Sequence, residues 1–143
     1  MNYKILTDPL KRDLENSNGD YEIQSHLDFE TPNGRYRVPE FTIANGASIP
    51  LLAQFFIPKS GKWNRCATVH DSGFEDGGYI RLIEIDGKWY EDNFEEMTQF
   101  EVNEIYRGLM ESRDVKKWRE KAQYYTLNCF GWWTWYKYRN EDN

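Results

Sequence analysis

From Tyr21 the apolar positions alternate: Tyr21, Ile23, Leu27 and Phe29 fall on one face, with Ser25 between them. A period of two places alternate side chains together, so residues 21–29 predict a half-buried strand. Thr31-Pro32-Asn33-Gly34 follows as a turn, in which Asn-Gly supplies the positive φ angles a hairpin needs. Tyr36 and Val38 begin a return strand that Phe41 and Ile43 continue past Pro39, a proline that marks an edge or a bulge. Asp86-Gly87, between Tyr79–Ile85 and Lys88–Glu91, is a second hairpin signal. Residues 1–20 are polar and broken by Pro9, Asn18 and Gly19; they read as an irregular lead-in with one short strand over residues 3–6.

The period then changes to that of helices. Pro50 suits a first helical turn, so Leu51–Phe56 predicts a short helix stopped by Pro58. Trp63–Ser72 predicts another, with Cys66, Ala67, Val69 and His70 on overlapping inner faces and Gly73 ending it. Thr98, with Glu101 three residues on, forms a capping box for a helix whose inner face is Val102, Ile105, Tyr106 and Leu109. Asp114 caps a final helix. Along it Val115, Trp118, Ala122, Tyr125, Cys129, Trp132 and Tyr136 recur at alternating steps of three and four, one continuous stripe. By spacing alone this is a coiled-coil seam; its bulky aromatic content suits packing against a globular core better. Gly131 marks a bend near the end. The expected fold is therefore α+β: antiparallel β-hairpins with helices packed on one face, a long aromatic C-terminal helix, and one compact domain over residues 21–143.

At 143 residues one domain with a real core is expected. Aromatic residues make up 17%, including 6 Trp and 10 Tyr, so large side chains supply core volume that a modest aliphatic count does not. The net charge of −6 argues against a general nucleic-acid binder, which needs a basic stripe. Cys66 and Cys129 have no metal-ligand spacing and read as two buried free thiols. No apolar run approaches the roughly 20 residues of a membrane span, so no transmembrane segment is expected. No cofactor or metal is implied.

Candidate chemistry is concentrated in Asn45-Gly46-Ala47-Ser48-Ile49-Pro50 and in His70-Asp71. Asn45 and Ser48 read as a turn and cap feeding the Pro50 helix, with ligand contact as the alternative. His70 and Asp71 are candidate catalytic residues, but neighbouring helical positions point about 100° apart and do not form a dyad directly. The alternative is a buried His70 bracing the Asn45–Pro50 loop and Asn103. Cys66 lies four residues before His70, so a Cys–His pair is conceivable and an inert half-buried thiol the simpler reading. Lys59-Ser60-Gly61-Lys62 lacks the phosphate-loop pattern. The acidic stretch 91–96 lacks calcium-loop spacing and reads as a solvated face. His26 reads as a surface residue.

Read together, these motifs resemble the DUF1353 family of small phage and prophage proteins over residues 36–136. That family's pattern runs Thr-Asp-x-Ala-Ser-x-Pro, His-Asp on a helix, Ala-Asp-x-x-Phe-x-x-x-Met on another, a Gly-Val turn, and a Tyr-rich last helix ending near Phe-Gly. Here Asn45–Pro50, His70-Asp71, Val102-Asn103 with Tyr106 and Met110, Asp114-Val115 and Phe130-Gly131 stand at those places. Two departures matter: Asn45 and Asn103 replace family aspartates. An amide keeps the hydrogen-bonding shape of the acid but neither takes a proton nor neutralises a cation, so a structural brace of Asn45, Ser48 and Asn103 is expected in place of a metal or acid–base cluster.

Trp132, Trp133, Trp135 and Tyr136 cover more than one helix face, so some are core and others exposed; exposed Trp and Tyr are favoured interface anchors. The resemblance and this cluster imply a phage-encoded protein that acts by protein binding, as a virion or assembly-associated component. The partner is then a phage structural protein. A host-takeover or anti-defence factor binding a bacterial protein is the alternative within that class. Either acts in the host cytoplasm during infection, with the virion as a second location. A hydrolase using His70 and Asp71 is the alternative from another class.

Overall fold

The computed structural model describes residues 2–15, 20–44, 64–113 and 116–140. The Asn45–Pro50 motif, the Leu51–Phe56 helix, the 59–62 loop, Trp63 and Asp114-Val115 lie outside the described residues. Along the chain the elements are β1 (Lys4–Ile5), β2 (Lys11–Asp13), β3 (Tyr21–Ile23), β4 (Leu27–Thr31), β5 (Gly34–Val38), β6 (Ile43–Ala44), α1 (Asn64–Asp76), β7 (Gly78–Ile85), β8 (Lys88–Glu96), α2 (Gln99–Ser112), α3 (Lys117–Phe130) and α4 (Trp132–Asn140). They make an α+β domain with two antiparallel sheets, one in the order β1-β4-β5-β7-β8 and one in the order β2-β3-β6.

The alternation over residues 21–29 belongs to two strands. The chain bends at Gln24-Ser25, so β3 joins the small sheet and β4 the large one, while Ile23, Leu27 and Phe29 all reach one core. The predicted return strand likewise stops at Val38: Phe41 takes φ 66° in a turn, and β6 pairs with β3 in the small sheet. The first hairpin turns through Thr31–Gly34 as predicted, with Pro32-Asn33 as its central pair; of Asn33 and Gly34 only the glycine takes a positive φ, 145°. Asn33 N–H donates to Thr31 Oγ1 at 3.0 Å, and Thr31 pairs with Gly34. The second hairpin follows its sequence signal, with Asp86 at φ 51° and Gly87 at φ 81°, both positive as the two-residue turn requires. Its second strand extends past the predicted Glu91 to Glu96, and the acidic 91–96 stretch is mostly exposed along it, the solvated face expected.

Residues 4–5 and 11–13 pair with β4 and β3, which ties the lead-in to both sheets. Lys11-Arg12-Asp13 is exposed throughout and carries no hydrophobic pattern that could have announced it.

Between β4 and β5 the two faces differ in chemistry. Phe29 faces Tyr36 across the core side, while Asp28 faces Arg37 and Glu30 faces Arg35 on the other. The Arg37 fork donates to both oxygens of Asp28 at 2.7 and 3.0 Å. The helices cover the first face: Cys66, Val69 and Phe74 of α1, Val102, Tyr106 and Leu109 of α2, and Leu127 of α3 join Phe29, Tyr36, Val38 and Tyr79 in the core. α1 runs through Gly73, where it was predicted to stop. The glycine is needed there for packing, because a Cβ would collide with the Tyr79 hydroxyl and stand 2.8 Å from Val102 Cγ1. Thr98 and Glu101 form the predicted capping box on α2.

Candidate functional site

Three helices meet around His70. On α1, residues 66, 70 and 74 share a face at steps of four, which sets the imidazole between the Cys66 thiol and the Phe74 ring. The ring centroids of His70 and Phe74 are 4.3 Å apart, and those of His70 and Tyr106 of α2 are 4.8 Å apart. His70 Nε2 lies 2.9 Å from Asn103 Oδ1, and Asn103 Nδ2 donates to Asn128 Oδ1 of α3 at 2.8 Å. One buried amide thus joins α1 to α3 through α2. Beside it, Tyr106 donates its hydroxyl proton to Gln123 Oε1 at 2.6 Å, and Tyr79 donates to the Val69 carbonyl at 2.7 Å.

Burial decides the electrostatics. His70 has no exposed surface, and desolvation lowers its pKa to about 4, against which the Asn103 hydrogen bond works in the raising direction. The imidazole is therefore neutral at pH 7, and Asn103 Oδ1 accepts from its Nε2–H. Burial also pushes the Cys66 thiol up to about 12, so at neutral pH it holds its proton and is no nucleophile. Asp71, 5% exposed, is turned about a quarter of the way round the helix from His70. After burial itself, its charge contributes to raising the hydroxyl pKa values of Tyr21, Tyr79 and Tyr106. A cavity of about 440 Å³ reaches α1 at Ser72, Glu75 and Asp76, beyond the His70-Asp71 pair. Among the described residues no group of three His, Cys, Asp or Glu is placed to hold a metal ion.

The structure brings His70 and Asn103 together. Asn45 and Ser48 lie outside the described residues. Asn128 and Gln123 belong to the same polar layer and were not singled out from sequence. The signal that could have found them is their place on α3 away from the aromatic stripe. His26 is half-buried, and its Nδ1 accepts the Glu40 N–H at 3.1 Å.

The C-terminal aromatics divide. Trp135 is half-buried, packed edge-on against Phe74 at 5.2 Å with the Arg139 guanidinium 4.6 Å from its ring. Trp132, Trp133 and Tyr136 are exposed and in contact, with centroids 5.7 Å apart for the first pair and 6.3 Å for Trp133 and Tyr136.

Most of the stripe expected to pack inward points outward. Trp118, Tyr125, Trp132 and Tyr136 are each 53% to 64% exposed, as is Trp133 beside them; Cys129, expected to be buried, is exposed too, and Ala122 is half-buried. The buried side of α3 is Glu120, Gln123 and Leu127. The reason lies in α2, which presents polar partners to α3: Arg107 Nε donates to Glu120 Oε1 at 3.2 Å, Tyr106 to Gln123 and Asn103 to Asn128. Gly131 separates α3 from α4 with φ −74° and ψ −15°, a bend that keeps the helical sense, so the exposed stripe runs through it.

No helix among the described residues is long and apolar enough to cross a membrane. Neither a curated protein nor a solved structure matches the chain. A family model does: that of DUF1353, described as a protein of unknown function, matches residues 21–127. That span takes in both hairpins, His70 and Asn103 and most of α3, stopping one residue short of Asn128, and this chain belongs to the DUF1353 family.

Proposed function

We propose that this chain is a phage-encoded protein that acts by protein binding, as an accessory of virion assembly, through the outer face of α3 and α4. The observation that carries the reading is the exposure of Trp118, Tyr125, Trp132, Trp133 and Tyr136 along one helical run. Large exposed apolar surface on a protein with a well-filled core marks an interaction site, and Trp and Tyr are the side chains that most often anchor one. The phage assignment rests on the motif resemblance.

Binding is favoured over hydrolysis by the state of the alternative site. His70 is fully buried and neutral and is hydrogen-bonded to the Asn103 amide, so it does not reach a substrate. The test compares pull-downs from virions and from infected-cell lysate, using the natural chain and Trp132→Ala/Trp133→Ala. A virion protein retained by the natural chain and lost by the double variant supports assembly, and a bacterial protein behaving that way supports host takeover. Equal capture by both chains refutes binding through this face.

A further inference from the structure

We infer that the outer face of α3–α4 is a self-association seam, on which a second copy of the same helix docks antiparallel. The inference rests on the binding reading above and names the partner.

Spacing, matched sizes and area carry it. Positions 118, 122, 125, 129, 132 and 136, exposed except for the half-buried Ala122, step by four, three, four, three and four. That 3.5-residue period lets a helix keep one seam against another over several turns. Residues packed against a sheet have no need of it, and here five of the six positions are exposed.

Set antiparallel about Leu127, the stripe matches itself. Trp118 meets Tyr136 of the second copy, Ala122 meets Trp132, and Tyr125 meets Cys129, each layer occurring twice. Small positions fall opposite large ones: the Ala122 gap receives the Trp132 indole, and the Cys129 thiol makes room for the Tyr125 ring. On the flank, Arg119 of one copy lies beside the exposed Trp133 face of the other, a cation placed against an aromatic ring. A parallel pair would instead stack Trp132 on Trp132 and Ala122 on Ala122, leaving a clash and a gap.

The area is sufficient. A fully covered aromatic side chain buries about 150–250 Å². Five side chains with slightly more than half that still available give roughly 1,000 Å² summed over two copies, before Ala122, Cys129 and the Arg119 and Lys121 stems are added; about 1,000 Å² is where specific interfaces begin. The α3–α4 run of residues 117–140 is about 36 Å long, enough for six layers.

The test has two parts. Sedimentation velocity from about 1 to about 500 µM should show a monomer–dimer equilibrium, weakened at least about tenfold by Trp132→Ala. Register is read by disulfide trapping, in which Cys66 is silent because it is buried. The natural chain, with Cys129 exposed, is mixed with Tyr125→Cys/Cys129→Ser and mildly oxidised. The mixture should yield a disulfide-linked dimer and neither protein alone should, since two Cys129 residues in this register stand too far apart to bridge.

A monomer at every concentration overturns the proposal. So does cross-linking of the natural chain alone, which means a parallel seam, or a dimer that gives no mixed disulfide, which means another face. If the chain stays monomeric yet Trp132→Ala/Trp133→Ala abolishes capture of a different protein, the self-association fails and the binding reading stands. If the double variant alters neither, both fail.

Discussion

His70→Gln tests the reading of the helix junction through its pH dependence. Burial lowers the folded-state pKa of His70 from 6.5 to about 4. Between those values the unfolded chain binds a proton that the folded chain refuses. Stability from this group is therefore fully present above about pH 6.5 and falls as the pH drops towards 4. The whole shift corresponds to about 3 kcal/mol, and the part lost between pH 7 and pH 5 to about 2 kcal/mol. Glutamine places a side-chain N–H where the imidazole Nε2–H points and carries no titration. Urea unfolding followed by Trp fluorescence near pH 7 and near pH 5 then gives the natural chain a loss about 2 kcal/mol larger than the variant's. Asp76 and Glu120, whose carboxyl pKa values are raised first of all by burial, contribute with the opposite sign but equally in both proteins, so they cancel in the comparison. Equal pH slopes would mean that His70 is not a buried neutral group.

Three further outcomes follow from the same contacts. Asn103→Leu removes the amide between His70 and Asn128 and with it one hydrogen bond from each, costing about 1–3 kcal/mol in urea unfolding at neutral pH; a change within 0.5 kcal/mol would refute the bridge. Asn103→Asp restores a carboxylate beside the imidazole, and the His70 pKa, read by NMR titration, should rise from about 4. Gly73→Ala drives a methyl into the Tyr79 hydroxyl and Val102, and should destabilise by about 1–3 kcal/mol in thermal or urea unfolding, whereas Gly87→Ala, with open space around it but φ 81°, should cost about 1 kcal/mol from backbone strain alone.

What the sequence disclosed depended on whether the deciding interactions were local. Asp86-Gly87 encodes its own turn, and Thr98 with Glu101 its own cap, so both were legible. The inner face of α2 was legible because its apolar period and its burial coincide at Val102, Ile105, Tyr106 and Leu109. The bend at Gln24-Ser25 was not, because one alternating run feeds two sheets whose separation is set by long-range partners. β2 was silent for the same reason, being held by pairing with β3 and not by side-chain burial. At the junction, His70 and Asn103 were found by motif, while Asn128 and Gln123 became readable only once α2 supplied their partners.

α3 is the most instructive reversal, since periodicity says which residues share a face but not which face is covered. Hydrophobicity would turn Trp118, Tyr125 and Trp132 inward. The structure instead buries Glu120 and Gln123 on that helix and brings Asn128 against α2, each paired with a residue of α2. A polar pair contributes less than a buried indole would, and it is costly if half-made, so three such pairs fix the rotation of α3 more than they stabilise it. Their effect is directional: Glu120, Gln123 and Asn128 meet Arg107, Tyr106 and Asn103 with the aromatic stripe facing out. The Asn103 amide beside His70 thus also helps to hold the Trp and Tyr residues in solvent. Junction and outer face form one device, in which two neutral hydrogen bonds and one ion pair on the inside orient an apolar surface on the outside.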